Sequence, residues 1–425
     1  MKVFKFGGAS VKDAAAVKNV TKILAGFTDD KLVVVVSAMG KTTNALEKVV
    51  NAYFYKTGDA SAALNEVKEF HHKIMMDLFS VPTHPIFDIV NNIFVEIDWV
   101  IEEEPAKGFA FAYDQIVSTG ELISTRIISA YLALNGVENN WLDARDVIAT
   151  DNNYREGNIN WETTQKLCKE KFIPLLSAPG KKVITQGFIG GTSENFTTTL
   201  GREGSDYSAA IFAYCLSADA VFIWKDVPGV LNADPKFYTD AQKLDKMSYH
   251  DAIELAYYGA SVIHPKTIKP LENRDIPLHV RSFMNPDLPG TMIGKDLQTK
   301  PLIPSFIFKE NQLLLSISAK DFSFIAEDNL SEIFGLFAKS GIKINLMQNS
   351  AISFSVCIDN DTFKVPPVVE TLRQTYKVLY NENLQLFTVR HYYPSTVEML
   401  TAGKEILLEQ RSRHTAQFVV RVVND

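Results

Sequence analysis

The chain begins with Met1-Lys-Val-Phe-Lys-Phe-Gly-Gly-Ala-Ser10, where a short strand pattern runs directly into two glycines. An apolar-periodic run over residues 14–24 then predicts a helix, with Ser10 as its N-cap and Asp13 in its first turn. Glycines let the backbone approach a ligand closely, and free N–H groups at a helix start attract phosphate oxygens. Lys5 would add a cation at the same place. Two interpretations stay open at this point: a phosphate-binding turn, or an ordinary strand-to-helix turn.

Composition and charge narrow the class of protein. The 425 residues have a globular composition and a net charge of −7, which argues against a nucleic-acid partner. The three cysteines, Cys168, Cys215 and Cys357, have neither metal-ligand nor disulfide spacing, which favours a reducing, cytoplasmic location. No apolar run approaches the roughly 20 residues needed to cross a bilayer, so no membrane partner is expected.

The first half of the chain alternates strand and helix patterns. The β-branched run Leu32–Ser37 predicts a strand buried on both faces of a parallel sheet. Gly40-Lys-Thr42 follows it, but Val35 occupies the place of the first P-loop glycine, so a P-loop is rejected. Helices are predicted over residues 44–57, 59–80, 85–104 and 112–135.

Two details of these helices bear on function. Gly120 precedes Glu121 inside the last helix, which indicates either close helix packing or room for a substrate beside Glu121. His71 and His72 lie on a charged helix and are expected to be solvated.

A second glycine-rich turn occurs in residues 197–208. Gly201 and Gly204 flank Arg202, whose planar guanidinium suits a carboxylate, and Ser205 is predicted to cap the helix that starts at Asp206. A buried strand over residues 219–224 then leads into a Pro/Gly-rich loop, residues 225–236. Loops at strand ends are where α/β proteins bind ligands.

Residues 283–304 are rich in proline and glycine, and the order of predicted strands and helices changes after them. This stretch predicts a domain boundary. We expect a first domain over residues 1–290 and a linker over 291–304. Two similar βαββ units follow, over residues 305–380 and, shortened, over 381–425. Their tandem arrangement suggests a duplicated small-ligand or pairing module.

Taken in order, these segments resemble the aspartate kinases of the amino-acid kinase superfamily, including the ACT pair that follows the kinase region in that family. The resemblance implies a three-layer α/β sandwich with a mostly parallel central sheet, followed by two ferredoxin-like ACT units. The motifs that carry it are Lys5-Phe-Gly-Gly-Ala-Ser10, Val33-Val-Val-Val-Ser-Ala-Met-Gly-Lys-Thr-Thr-Asn44, Ser118-Thr-Gly-Glu121, Gln186-Gly-Phe-Ile-Gly190, Thr197-Thr-Thr-Leu-Gly-Arg-Glu-Gly-Ser-Asp206, Asp226-Val-Pro-Gly229, Gly259-Ala-Ser-Val-Ile-His-Pro265 and Val280-Arg-Ser-Phe283.

The resemblance implies ATP-dependent phosphorylation of the L-aspartate β-carboxylate to 4-phospho-L-aspartate, the entry to lysine, threonine and methionine synthesis. It gives Lys5 and Asp206 catalytic roles: Lys5 neutralises the transferring phosphoryl group. The aspartate ammonium is assigned to Glu121 and its α-carboxylate to Arg202, with Ser37, Thr43, Phe188 and Ser205 lining the pocket. Nucleotide contacts are expected from Lys5, Gly7, Gly8, Lys225, Asp226, Leu231 and Lys236, with Mg²⁺ accompanying ATP.

Four positions depart from the family pattern. Glu203 stands where glycine is common, Lys225 replaces a small residue, and Ser261 replaces a lysine that meets nucleotide phosphate in some members. Asn345 and Ser350, in the first ACT unit, are the expected effector positions. Because Asn345 replaces an aspartate of lysine-inhibited members, lysine inhibition is not expected.

Two alternatives stay open. One is a related kinase of the same fold that acts on N-acetylglutamate, glutamate or a nucleoside monophosphate. The other is a catalytically silent regulator that binds an amino acid through its ACT units. A homodimer or larger oligomer formed through the ACT units is expected, and no homoserine dehydrogenase portion is expected after them.

Overall fold

The computed structural model describes residues 1–260, 263–297, 301–321 and 323–422. The chain divides into two compact units. The first comprises Met1–Val230, Asp245–Ile253 and Val262–Gln298, and the second comprises Leu231–Leu244, Glu254–Ser261 and Thr299–Asp425. Two segments of the predicted first domain therefore group with the C-terminal unit. The boundaries at residues 290 and 304 stay predictions.

Strands of the first unit form a large, mostly parallel sheet and a small hairpin. They are β1 (Lys2–Phe6), β2 (Leu32–Val36), β3 (Asn140–Trp141), β4 (Lys182–Gln186), β5 (Ile189–Gly191), β6 (Thr197–Thr199), β7 (Ala220–Lys225), β8 (Lys246–Ser248), β9 (Leu278–Ser282) and β10 (Thr291–Gly294). Over the described residues the large sheet has the order β3-β4-β2-β1-β7-β9-β10-β8, and β5 pairs with β6. In the large sheet only the β9–β10 pair is antiparallel within these described strands.

Helices cover this sheet. They are α1 (Ala14–Ala25), α2 (Thr42–Tyr55), α3 (Ala60–Phe79), α4 (Ile86–Glu102), α5 (Phe109–Val117), α6 (Thr119–Leu134), α7 (Trp161–Leu175), α8 (Gly204–Leu216), α9 (Tyr249–Tyr258) and α10 (Pro265–Glu272). Every residue of β2 is fully buried, as predicted for a strand covered on both faces. Phe4, Val34 and Val36 face a core shared with α1 to α6, and α8 contacts β1 and β2. The predicted α/β class with a mostly parallel central sheet is confirmed.

Three local predictions about helix starts and lengths are wrong. Asp13, not Ser10, caps α1: its Oδ1 accepts from the Ala16 amide at 2.8 Å, because a 3₁₀ turn over Gly8–Val11 comes first. The single helix expected over 112–135 is two helices, since the Thr119 hydroxyl donates to the Ile116 carbonyl at 2.6 Å and competes with the backbone. Helix α8 begins at Gly204 without a side-chain cap, so Ser205 lies in its first turn.

His71 is buried rather than solvated, whereas His72 is exposed as expected. The His71 Nδ1 lies 2.8 Å from the Val67 carbonyl, on the inner face of α3. Burial lowers the pKa of His71 to about 4, so the ring is neutral and belongs to the core.

The second unit is built around one antiparallel sheet. Its strands are β11 (Ser305–Ala319), β12 (Ile344–Asn349), β13 (Ser353–Asp359), β14 (Tyr376–Arg390), β15 (Lys404–Arg411) and β16 (Thr415–Val422), and its helices are α11 (Glu327–Lys339), α12 (Val365–Thr375) and α13 (Pro394–Thr401). In the described residues the order is β12-β13-β11-β14-β16-β15.

This sheet is consistent with the predicted ACT pair, and two of its strands, β11 and β14, are 15 residues long. Residues Ser305–Lys309 of β11 pair with one end of β14, and Gln312–Ala319 pair with the other, across a bulge. Strands β11 and β14 therefore both run through the two halves of the sheet. No helix in the described ranges is long and apolar enough to span a membrane.

Candidate active site

A buried ion pair joins the first strand to the start of α8. The Lys5 Nζ lies 2.7 Å from Oδ1 of Asp206, and the Lys225 Nζ lies 3.7 Å from Oδ2 of the same carboxylate. Lys5 and Asp206 are only 9% and 3% exposed. Burial opposes ionisation of Asp206, but the two ammonium groups outweigh it and hold the pKa of this carboxyl below its usual range. Two neighbouring strands, β1 and β7, therefore each place a lysine ammonium beside the Asp206 carboxylate.

Glu121 is a second buried carboxyl, and it is only half satisfied. It lies in the first turn of α6, 2% exposed, and its Oε1 accepts from the Ala38 amide at 3.2 Å. Its Oε2 is buried without a hydrogen-bond partner. Burial raises the pKa of Glu121 to about 8, although the Ala38 amide and the Lys5 charge act in the opposite direction. A buried carboxyl with an open oxygen suits a cationic ligand group.

The Lys5–Asp206 ion pair and the Glu121 carboxyl line one cavity of about 880 Å³ in the first unit. It collects residues from β1, the end of β2, α6, the β4–β5 connection, the second glycine turn and β7. Nine of the predicted site residues line it: Lys5, Ser37, Thr43, Glu121, Phe188, Arg202, Ser205, Asp206 and Lys225.

The glycines of the first turn are explained by close approach. A Cβ on Gly8 would lie 2.8 Å from the carbonyl oxygens of Ala38 and Gly40, and a Cβ on Gly7 would lie 3.2 Å from the Lys5 Nζ. A side chain at Gly8 would therefore push the turn off the end of β2. One at Gly7 would crowd the ammonium of Lys5. Neither glycine lines the cavity, and their phosphate contacts stay predictions.

The second glycine turn positions Phe188 against the start of α8. A Cβ on Gly204 would lie 2.6 Å from Cδ2 of Phe188, so only glycine lets the ring pack there. Phe188 has a φ of +71°, and its backbone amide donates a hydrogen bond to the Ser208 hydroxyl at 2.9 Å. Glu203 has a φ of +53°, a conformation in which glycine is preferred.

Sequence reasoning missed one wall of the cavity, formed by Tyr113 and residues 153–156. The Arg155 amide donates to buried Asp114 at 2.8 Å, and the Arg155 guanidinium lies 4.6 Å from the Tyr113 ring centroid. Asp114 also accepts from the Thr199 amide and hydroxyl, which fixes this loop to β6. None of the motifs that carry the family resemblance includes residues 153–156, so only the fold could reveal their place at the cavity.

Several predicted residues lie outside the cavity wall. Asp226 follows β7 in the first unit, whereas Leu231 and Lys236 belong to the second unit. Ser261 lies outside the described residues. The nucleotide roles of these residues stay predictions.

The two predicted effector residues are bonded within the second unit. The Asn345 Oδ1 accepts from Lys309 at 2.8 Å, and its Nδ2 donates to Gln312 and to Asp359, each at 2.9 Å. The Ser350 hydroxyl lies 2.8 Å from that of Ser353. The effector roles of Asn345 and Ser350 therefore stay predictions.

Comparisons with known proteins agree with this arrangement. The model of the amino acid kinase family matches residues 1–282. The lysine-sensitive aspartokinase 3 of Escherichia coli is 32% identical over 90% of this chain and 85% of its own length. The chloroplastic aspartokinase 1 of Arabidopsis thaliana is also 32% identical, over 84% of this chain. The match spans 63% of the Arabidopsis protein, just under two thirds.

Solved structures show the same fold. Aspartokinase III of E. coli in complex with aspartate and ADP superposes with a TM-score of 0.81 and 28% identity, over 99% of this chain and 96% of that one. Its complex with lysine and aspartate gives a TM-score of 0.83 over the same shares.

A mostly parallel sheet, a glycine turn beside a buried lysine and the family match over residues 1–282 place the chain in the amino acid kinase family. The curated relatives reported above, bacterial and plant, are all aspartokinases. Within the family the chain therefore falls among the aspartokinases.

Proposed function

We propose that the chain is an aspartate kinase that transfers the γ-phosphoryl group of ATP to the β-carboxylate of L-aspartate. One observation carries the proposal: the Lys5–Asp206 ion pair and the half-satisfied Glu121 carboxyl line a single cavity with Arg202. The product, 4-phospho-L-aspartate, would enter the synthesis of lysine, threonine and methionine. A catalytically silent regulator would not need the buried Lys5–Asp206 ion pair in this cavity.

The cavity offers complementary groups for each charge of aspartate. The open Oε2 of Glu121 would accept the substrate ammonium, and the Arg202 guanidinium would bind the α-carboxylate. Ser37, Thr43, Phe188 and Ser205 would complete the pocket. These contacts would fix the position of the reacting β-carboxylate relative to Lys5.

The reaction itself needs alignment and charge neutralisation more than covalent help from the protein. An oxygen of the substrate β-carboxylate attacks the γ-phosphorus, and the bond to the β–γ bridging oxygen breaks, which leaves ADP. The ammonium groups of Lys5 and Lys225 lie beside Asp206, so they would balance the anionic oxygens of the reacting groups. The carboxylate nucleophile is ionised at neutral pH, so no general base is required.

Magnesium would arrive with the nucleotide rather than reside in the protein. Within the described residues no group of three His, Cys, Asp or Glu side chains could hold a metal ion. Mg²⁺ commonly binds through substrate phosphates with one or two carboxylates. We therefore propose MgATP as the second substrate, with Gly7, Gly8, Lys225, Asp226, Leu231 and Lys236 as its contacts.

Glu203 adds a carboxylate to a cavity meant for an anionic substrate, and its Oε2 is buried without a hydrogen-bond partner. Two guanidinium groups, those of Arg155 and Arg202, line the same cavity. They would offset the extra negative charge, so the Glu203 departure is compatible with aspartate binding.

An assay of ADP release with different acceptors tests the activity. We expect turnover with L-aspartate and none above background with L-glutamate, N-acetylglutamate or uridine monophosphate. One additional methylene in the acceptor would move its reacting carboxylate away from the phosphoryl group. Equal rates with aspartate and glutamate would contradict the specificity, and turnover only with the nucleotide would assign a different kinase activity.

We also propose feedback regulation by an amino acid through the second unit. The E. coli relative has been solved with lysine, but in this chain Lys309 already bonds Asn345. That contact supports an effector other than lysine.

A cytoplasmic location is proposed as well, because the three cysteines are free and buried, which suits a reducing compartment.

The exposed edges of the second sheet support a homodimer or larger assembly. Strands β12 and β15 are the outer strands among the described residues, and most of their residues are partly or fully exposed. Unpaired edges readily accept another strand. At about 10 µM, light scattering should give at least twice the 47.5 kDa of one chain. A mass of one chain at that concentration would contradict the assembly.

A further inference from the structure

Arg155 places a cation on the wall of the active-site cavity, in a loop that none of the family motifs includes. Its guanidinium lies 4.6 Å from the centroid of the Tyr113 ring and 5.6 Å from that of the Phe109 ring. Contact with two aromatic rings limits the orientations that this planar group can take. In the part of the chain that the structure describes, the guanidinium forms no ion pair, so its donors are available to a ligand.

One buried carboxylate fixes this loop to the segment that leads into Arg202. The Oδ2 atom of Asp114 accepts from the Arg155 amide at 2.8 Å and from the Thr199 amide at 2.9 Å. The Gly157 amide also donates to the Thr199 carbonyl at 2.9 Å. Because Thr199 lies only three residues before Arg202, two adjoining segments present the two arginines to one cavity.

The loop and the second glycine turn are also in direct contact. A Cβ on Gly201 would lie 3.3 Å from Cγ of Glu156 and 3.4 Å from the Arg155 carbonyl oxygen. Gly201 has a φ of +75°, a conformation that glycine adopts readily. Glycine at this position therefore lets the turn that carries Arg202 pack against the loop that carries Arg155.

The cavity thus contains two kinds of cation from different parts of the fold. Lys5 and Lys225 extend from β1 and β7 and lie beside Asp206, where phosphoryl transfer is proposed. Arg155 and Arg202 come from the loop and the glycine turn and form no ion pair within the described ranges. A guanidinium has a planar fork of donors that matches a carboxylate, so the two arginines suit the carboxylate end of the substrate.

We propose that Arg155 binds the α-carboxylate of aspartate together with Arg202, so that two guanidinium groups hold this carboxylate. The inference rests on the proposed function, because it concerns the same substrate in the same cavity. An acceptor that lacks the α-carboxylate charge loses both partners, so the two arginines select for a free α-carboxylate. The second guanidinium also offsets the carboxylate that Glu203 adds to the cavity.

Calorimetry on the full chain, without nucleotide, compares L-aspartate with its α-amide, which keeps the ammonium and the β-carboxylate but lacks the α charge. Arg155→Met leaves the backbone amide in place and should weaken L-aspartate binding about tenfold, because one charged hydrogen-bond donor group is lost. Affinity for the α-amide should change by less than about threefold. Arg155→Lys keeps the charge without the fork and should give an intermediate affinity for L-aspartate.

Arg126→Met is the matched control for this substitution. The Arg126 guanidinium also lies over an aromatic ring, 3.3 Å from the centroid of Trp141, but it is outside the cavity. This variant should bind L-aspartate and the α-amide like the parent chain.

Kinetics give a second measure that a purely structural role would not reproduce. Arg155→Met should raise the KM for aspartate about tenfold and leave kcat within about threefold, because the α-carboxylate contact is the same in the bound substrate and in the transition state. The affinity for ADP, measured separately by calorimetry, should stay within about threefold of the parental value.

Equal affinity for L-aspartate in the parent chain and in Arg155→Met would overturn the inference and leave the proposed function intact. An equal loss of affinity for L-aspartate and the α-amide would also overturn it, since that result indicates a distorted cavity. Weaker ADP binding with unchanged aspartate binding would assign Arg155 to the nucleotide instead. A parent chain that binds no L-aspartate up to about 10 mM and releases no ADP would refute the proposed function, and the inference with it.

Discussion

Lys5→Met should lower kcat for aspartate-dependent ADP release by about 10³-fold or more, since it removes the cation that we propose balances the charge of the transferring phosphoryl group. The Lys5 ammonium lies 2.7 Å from Asp206 on the cavity wall. Lys2→Met is the matched control. Lys2 is on the same strand but pairs with Asp30 at 2.9 Å, away from the cavity, so its variant should keep near-parental kcat. A Lys5→Met enzyme with more than about one tenth of the parental kcat would contradict the catalytic role.

Loss of folding could imitate loss of catalysis in this variant, because it leaves Asp206 buried beside only Lys225. Breaking a buried ion pair from one side typically costs about 3–5 kcal/mol. The double variant with Lys5→Met and Asp206→Asn removes that buried charge and should recover most of the lost melting temperature. It should remain inactive. Recovery of activity together with stability would show that Lys5 serves the fold alone.

The parts of the fold that the sequence predicted are those set by local pattern. The β-branched run of β2 could only be a fully buried strand, and the apolar spacing of α2, α3 and α4 placed their ends within about two residues. The resemblance to the aspartate kinases named nine residues that line one cavity. Lys5, Ser37 and Lys225 lie at or near strand ends that share one edge of a parallel sheet.

The features of the fold and site that could not be predicted from the sequence depend on contacts between distant segments. Strand β11 is 15 residues long because both of its ends find partners on β14. Arg155 reaches the cavity only because Asp114, on α5, anchors its amide. His71 lies on a helix with many charged residues, but it is on the face of that helix that packs against the core.

Glu121→Gln should raise the KM for aspartate by about 100-fold while the fold stays intact, because a neutral amide replaces the proposed partner of the substrate ammonium in a buried site. Glu138→Gln, an exposed residue paired with Lys181, is the matched control and should leave the KM unchanged. A KM within about threefold of the parental value would contradict the assignment of Glu121 to the ammonium.

The pH dependence of stability gives Glu121 a separate signature. Its pKa is about 8 in the folded chain, compared with 4.5 for an unperturbed glutamate. Between these values the unfolded chain releases this proton while the folded chain keeps it, so the carboxyl favours unfolding increasingly as pH rises from 4.5 to 8. Each unit of pKa difference corresponds to about 1.4 kcal/mol, so Glu121→Gln should gain up to a few kcal/mol over the parent chain across this window. Urea unfolding at pH 5 and pH 8 measures the gain.

Aspartate should narrow it, since a bound ammonium ionises Glu121 and releases a proton at pH 7. Equal stability differences at both pH values, or no proton release on aspartate binding, would show that the Glu121 carboxyl is already ionised in the free protein.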